Sequence, residues 1–157
     1  MSTMGTRVPA VEGWFTLDEE APRLLGSRCR SCGSCFFPKE SLYCRNPRCG
    51  GRELDEVPLS RTGKIWSFAS GAYPPPPPYV SPDPFVPYVV AAVELAEECM
   101  VVLGQMIAGT DPADLHVGME VELVLETLFE RDGVEHLVWK WRPLRSGGRG
   151  KERDDVC

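Results

Sequence analysis

The sequence is poor in the residues that three common chemistries need. It holds only two histidines in 157 residues, His116 and His136. Imidazole is the most frequent general acid or base and the usual activator of a cysteine nucleophile. An independent thiolase-type centre therefore has little to draw on, and both histidines read as surface or strand residues. Positive charge is also scarce, with 17 Lys and Arg against 23 Asp and Glu and a formal net charge of -6. The basic residues are scattered rather than gathered into a stripe, which counts against a nucleic-acid partner. No phosphate-cradling glycine loop is present. No apolar run approaches the ~20 residues that span a bilayer, and MSTMGTRVPAVEG lacks the apolar core of a signal peptide. The expected location is cytoplasmic, with no membrane partner. The length allows one compact domain with a small satellite module and excludes two large domains.

What the chain does have is cysteine. Five of its seven cysteines fall in CRSCGSCFFPKESLYCRNPRCG, from Cys29 to Gly50. Thiols clustered at short spacing in a reducing compartment bind metal more often than they pair as disulfides. Cys29 and Cys32 form a C-x2-C pair followed by Gly33; Cys44 and Cys49 form a C-x4-C pair followed by Gly50 and Gly51. A tight turn puts two thiolates on one side of a metal, and the following glycine lets backbone N–H groups approach the sulfurs. Two such turns close a tetrahedron, as in a rubredoxin-like zinc ribbon. Four thiolates leave no open position for water or substrate, so the expected role of the Zn2+ is structural. Cys32 and Cys35 share the C-x2-C spacing and form the alternative first pair, although Phe36 and Phe37 follow Cys35 where a glycine is wanted.

Elsewhere the pattern predicts a mainly β protein. Thr16-Leu17-Asp18-Glu19 fits a capping box opening a short helix, limited by Pro22 and stopped by Gly26. Period-two alternation marks strands at Lys64 to Phe68, Pro87 to Leu95, Met100 to Ala108, Glu120 to Glu126 and His136 to Trp141, with a hairpin turn at Asp132-Gly133. Thr110 to His116 suits one helical turn between the third and fourth strands. Five strands with that insertion follow the order of an OB-fold barrel. The expected organisation is an N-terminal arm and short helix over 1–26, a zinc-ribbon module over 27–58, an OB-fold over 59–144 and a disordered tail over 145–157. Trp66, Phe68, Trp139 and Trp141 read as core. Cys99 reads as a strand-end packing residue. The stretch YPPPPPYVSPDPFVP is stiff and proline-rich, and its rings make Tyr73, Pro76, Tyr79, Phe85 and Tyr88 the candidate partner-binding residues.

Taken in order, the cysteine pairs, Thr62-Gly63-Lys64-Ile65-Trp66-Ser67-Phe68, Pro87 to Leu95, Asp111-Pro112 and Val117-Gly118-Met119-Glu120-Val121 resemble the acyl-CoA-associated zinc-ribbon and OB-fold family, over residues 14–144. Within it the chain is most similar to the partner domain of the thiolase-like aldolase of bacterial steroid side-chain degradation. The resemblance implies that Cys29, Cys32, Cys44 and Cys49 are the zinc ligands, although the second pair is two residues longer than the family's commoner C-x2-C. It implies a non-catalytic accessory subunit in a hetero-oligomer such as a heterotetramer, with the catalytic residues of the retro-aldol cleavage on the partner and acyl-CoA near the interface. Arg28, Arg30, Lys39, Arg45 and Arg48 then either meet coenzyme A phosphates or form a solvated face around the cluster. The alternatives are a scaffold that bridges a thiolase to a second acyl-CoA enzyme and, in a different class, a single-stranded nucleic-acid-binding protein that uses the aromatic strands as a platform.

Overall fold

In the computed structural model, residues 5–77 and 80–144 are described. Their apolar alternation gives nine strands and one 3-10 turn: β1 (Thr6–Pro9), β2 (Leu25–Cys29), β3 (Cys35–Phe36), β4 (Leu54–Pro58), β5 (Thr62–Gly71), β6 (Tyr88–Leu95), β7 (Met100–Met106), the turn Pro112–Asp114, β8 (Glu120–Arg131) and β9 (Val134–Pro143). β2 pairs antiparallel with both β3 and β4 in a three-stranded sheet that carries the cysteines. The strands β5, β6, β7, β9 and β8 pair in that order, and β8 closes back onto β5. β7 and β9 run parallel while the other barrel pairs are antiparallel. This is the closed five-stranded OB-like barrel that the strand order implied.

Barrel closure decides which residues are inside. Val89, Ala91, Val93 and Leu95 of β6 point inward with Ile65, Val102, Met106, Val121, Leu123, Leu137 and Trp141. Trp141 is fully buried, and it lies against β7 because residue 104 has no side chain: a Cβ at Gly104 would stand 2.7 Å from Trp141 Nε1 and 2.9 Å from Trp139 Nε1. Leu115, at the end of the 3-10 turn, is the buried residue of the β7–β8 connection. Asp111 caps that turn by accepting from Ala113 N at 2.8 Å, as its cap-like sequence predicts.

Three expectations fail. The helix over residues 16–26 does not form; Phe15 and Leu24 instead face each other in an antiparallel bridge, with Thr16 N donating to Arg23 O and Leu25 N to Trp14 O. Asp18 accepts from Glu20 N and Ala21 N, so its carboxylate closes a turn rather than opening a helix. Pro22 removes a backbone donor where the first helical turn would need to propagate, and burying both Phe15 and Leu24 favours the folded-back segment. The second failure is Trp66, which is 61% exposed rather than in the core. The pairing of β5 with β6 shifts between Ile65 and Ser67, and this bulge turns Trp66 outward. Phe68 and Trp139 pack partly buried against the core. Cys99 also departs from its expected packing position, sitting exposed in the β6–β7 turn with φ 51.

The N-terminal arm contributes β1, which adds parallel to the same edge of β9 that β7 uses further along, pairing Thr6 to Pro9 with Val134 to Leu137. The tail over 145–157 lies outside the described residues.

Candidate metal centre and partner surface

The first knuckle is built where β2 ends. Gly33 N donates to Cys29 O at 2.9 Å, closing a turn in which Gly33 takes φ +75, the left-handed region that a glycine enters at least cost. The second knuckle is closed by Cys49 N donating to Asn46 O and Cys44 N to Gly51 O, each at 2.9 Å. A Cβ at Gly51 would stand 2.9 Å from Cys29 Sγ, so this backbone passes close behind the sulfur.

These turns bring Cys29, Cys32, Cys44 and Cys49 together, with all four sulfurs within 4.8 Å of one another. Cys29 Sγ is 3.9 Å from Cys49 Sγ, and Cys32 Sγ is 3.5 Å from Cys44 Sγ. A tetrahedral zinc with Zn–S bonds of about 2.3 Å requires sulfur edges of about 3.8 Å, so the donor set fits that ion. Zinc would add the positive charge that four adjacent thiolates lack. Cys35 stands outside the group, on β3, its Sγ 3.8 Å from Gly33 O, and burial raises its thiol above the ordinary value.

The four thiols differ because their surroundings differ. The Ser34 hydroxyl, 3.2 Å from Cys32 Sγ, and the Ser34 N–H pull the Cys32 thiol down to about 6. The N–H of Cys32 lowers Cys29 against the opposing effect of burial. Burial pushes the Cys44 thiol up to about 12, in spite of the N–H of Asn46, 3.4 Å from its sulfur. Cys49 Sγ takes the corresponding N–H from Gly51 at 3.4 Å. Amide N–H groups aimed at sulfur stabilise thiolate over thiol, the condition for ligation.

The basic residues around the cluster are engaged within the module. Arg30 grips Asp55 with Nε at 3.0 Å and one terminal nitrogen at 2.8 Å, and its other terminal nitrogen lies 3.6 Å from Glu53. Lys39 pairs with Glu56 and Arg45 with Glu40, both at 2.5 Å. Three of the five candidate cations thus have carboxylate partners, which favours a solvated, internally neutralised face over a phosphate site.

Of the proposed partner-binding residues, Tyr73 is 81% exposed and Pro76 is exposed, whereas Phe85 and Tyr88 are half-buried and pack edge to face at 6.2 Å. Tyr79 lies outside the described residues. Sequence reasoning placed Trp66 in the core and did not single out Leu103; the two are 61% and 64% exposed on the barrel's outer wall. It also missed the junction where Trp14 stacks on Trp139 at 5.9 Å while Phe37 meets both rings edge-on, tying ribbon to barrel. His116 is exposed and His136 stacks on Phe129 at 4.4 Å.

Residues 19–55 match the rubredoxin-like zinc ribbon domain of ChsH2, and residues 56–126 match the ChsH2 C-terminal OB-fold domain. The chain is 33% identical over 129 residues to a DUF35 domain-containing scaffold protein of Methanocaldococcus jannaschii, covering 78% of this chain and 83% of that one. It is 34% identical over 135 residues to the benzoylsuccinyl-CoA thiolase subunit BbsA of Thauera aromatica, covering 81% of each. A solved Ltp2-ChsH2(DUF35) aldolase chain matches with a TM-score of 0.55 and 31% identity, over 77% of this chain and 84% of that one.

Proposed function

We propose, from the fact that this chain belongs to the ChsH2 zinc-ribbon and OB-fold family, that it is the non-catalytic accessory subunit of a thiolase-fold acyl-CoA enzyme. The enzyme proposed is the retro-aldolase that cleaves a β-hydroxyacyl-CoA in steroid side-chain degradation. The observation that carries this reading is the closed four-sulfur centre. Its donor set leaves no coordination position for substrate, and neither His116, which is exposed, nor His136, which stacks on Phe129, is placed as a base beside those sulfurs. The similarity to an aldolase partner chain and to a thiolase subunit supports it. Cys29, Cys32, Cys44 and Cys49 hold a structural Zn2+ in a ribbon over 27–58, which presents the barrel over 59–144 to the partner. Tyr73 and Pro76, exposed on the proline-rich excursion, are the residues proposed to meet the partner in a cytoplasmic hetero-oligomer.

A second reading, a scaffold that bridges two acyl-CoA enzymes, is favoured by the naming of the Methanocaldococcus relative as a scaffold protein. The test is co-purification with the tagged chain, followed by a retro-aldol assay. Stoichiometric recovery of one thiolase-like protein, with cleavage activity that the isolated zinc-loaded chain lacks, supports the accessory role. Recovery of a thiolase together with a second acyl-CoA enzyme favours the bridge. Recovery of nucleic acid overturns both.

A further inference from the structure

The barrel's outer wall carries a projecting ring and an apolar hollow side by side. Trp66 is the residue that the β5 bulge turns outward, and most of it is in water. Across the wall, Ala92 of β6 is in register with Ser67 of β5 on one side and with Leu103 of β7 on the other. Beyond Ala92 opens a hollow of about 240 Å³, lined by Val90, Leu103, Gly104, Leu128, Val138 and Trp139. Pairing of β8 with β9 shifts between Thr127 and Phe129, so Leu128 is a bulged residue re-aimed to border this hollow. Gln105 also borders it; the other polar side-chain group there is the Trp139 indole N–H, which already donates to Leu103 O at 3.3 Å. From Trp66 on β5 to Leu103 on β7 is two strand spacings, roughly 10 Å.

We infer that this wall is an interface between two copies of this chain, related by a two-fold axis near Ala92, with Trp66 of each copy seated in the hollow of the other. A surface that holds both knob and hole is self-complementary, because under a two-fold axis each contact implies its symmetric equivalent. The hollow, at about 240 Å³, falls below the roughly 300–1,000 Å³ of small-molecule sites, yet about 150 Å³ already accommodates a benzene ring. Its size and its carbon lining therefore suit one aromatic side chain. Tryptophan seated in an apolar pocket is the strongest kind of interface anchor, and exposed Val101 and Leu103 extend the patch around it. Charge favours a second copy over a strongly charged partner. A chain of net charge -6 repels its like, so self-association needs a surface free of that field. The middle of the wall meets this condition, with Ser67 and Ala69 on β5, Val90 and Ala92 on β6, and Val101 and Leu103 on β7. The charges at its border, Lys64 and Glu94, stand opposite each other in register and offset one another. Ala92 is small, which lets two backbones approach at the axis. The wall belongs to this chain alone, so the inference does not rest on the accessory role.

The experiment is sedimentation velocity of the full, zinc-loaded chain from roughly 1 μM to 1 mM, the range in which small interfaces dissociate. The expected result is a mass that rises with concentration from 17.4 kDa toward twice that value. Trp66→Ser, at an exposed position, should weaken association about a hundredfold, since each dimer loses two tryptophan anchors. Val138→Phe, which plugs the hollow, should do the same, and Leu128→Phe is the second plug should that variant fail to fold. Mixing separates a lost contact from a damaged fold. A plugged chain keeps its Trp66 and a chain carrying Trp66→Ser keeps its hollow, so together they should form a heterodimer with one of the two contacts, although neither self-associates. The proposal is overturned by a chain that stays monomeric at millimolar concentration, by a dimer that Trp66→Ser leaves intact, or by a mixture without heterodimer. It is overturned too if the wall of a monomeric chain gains protection from hydrogen exchange only when a thiolase-like enzyme binds, a result that leaves the accessory role standing. Dimerisation with no enzyme in the co-purification would sink the accessory role and leave the dimer standing.

Discussion

Between Leu25 and Pro58 the buried side chains are Ser27, Cys29 and Cys44; between Thr62 and Pro143 they include Ile65, Val93, Leu95, Val102, Met106, Leu123 and Trp141. The ribbon has three strands and almost no apolar interior, while the barrel closes around a continuous one. A sheet that small cannot bury enough carbon to offset its chain entropy, so a metal does the work of a core. The barrel needs no metal because closure removes its inward-facing side chains from water. The regions meet at Trp14, Phe37 and Trp139, and again where Ser60 N donates to Glu98 Oε1 at 2.7 Å and anchors the β6–β7 turn to the segment between the sheets.

The largest effect should come from removing the ribbon's substitute core. Zinc binding in such modules is worth on the order of 10 kcal/mol. Chelation, or Cys44→Ser, should collapse the dispersion of the amide signals of residues 25–58 while the dispersed signals of residues 62–143 persist, except near Trp139. Collapse of both sets together would show that the barrel depends on the metal and would break the contrast.

Next comes the barrel's own anchor. Trp141→Ala should destabilise the barrel by about 3–5 kcal/mol in denaturant unfolding, since it empties the largest fully buried site. Zinc affinity should stay within a few-fold of the parent, measured by competition with a chromogenic chelator.

A smaller effect is expected at the junction. A double-mutant cycle between Phe37→Leu and Trp139→Leu should return a coupling of about 0.5–1.5 kcal/mol, the worth of an edge-on aromatic pair. Zero coupling would mean that the two regions stand side by side without supporting one another.

The smallest belongs to the ribbon's exposed charge. Hydrogen bonds from Arg30 hold the Asp55 carboxyl below its ordinary value of 3.8. A folded-state value lowered in this way gives stability that is present above 3.8 and lost as pH falls through the folded value. Asp55→Asn should therefore lower stability slightly at neutral pH and leave it unchanged well below pH 3.8. Salt should shrink the difference, because the pair is exposed.

How far the sequence could be read follows from the range of each signal. The C-x2-C and C-x4-C turns are local, so the spacing predicted the four sulfurs that the structure brings together. Strand alternation is local too, and β6, β7, β8 and β9 lie where period two places them. The helix over 16–26 misled because a capping box is also local, whereas the bridge between Phe15 and Leu24 depends on a core that the window does not contain. Trp66 misled because a bulge breaks the period that assigns a face, and bulges depend on the partner strand's register.

The sequence by itself determined the donor set, the strand order and the acidic balance, since each is written in spacing and composition. Tertiary structure decided the rest: that β1 shares an edge of β9 with β7, that three rings from distant segments join ribbon to barrel, and that Lys140 lines one cleft with residues of the proline-rich excursion. Those facts depend on which surfaces meet once the barrel closes, and residues far apart in the chain meet only through the packing of everything between them.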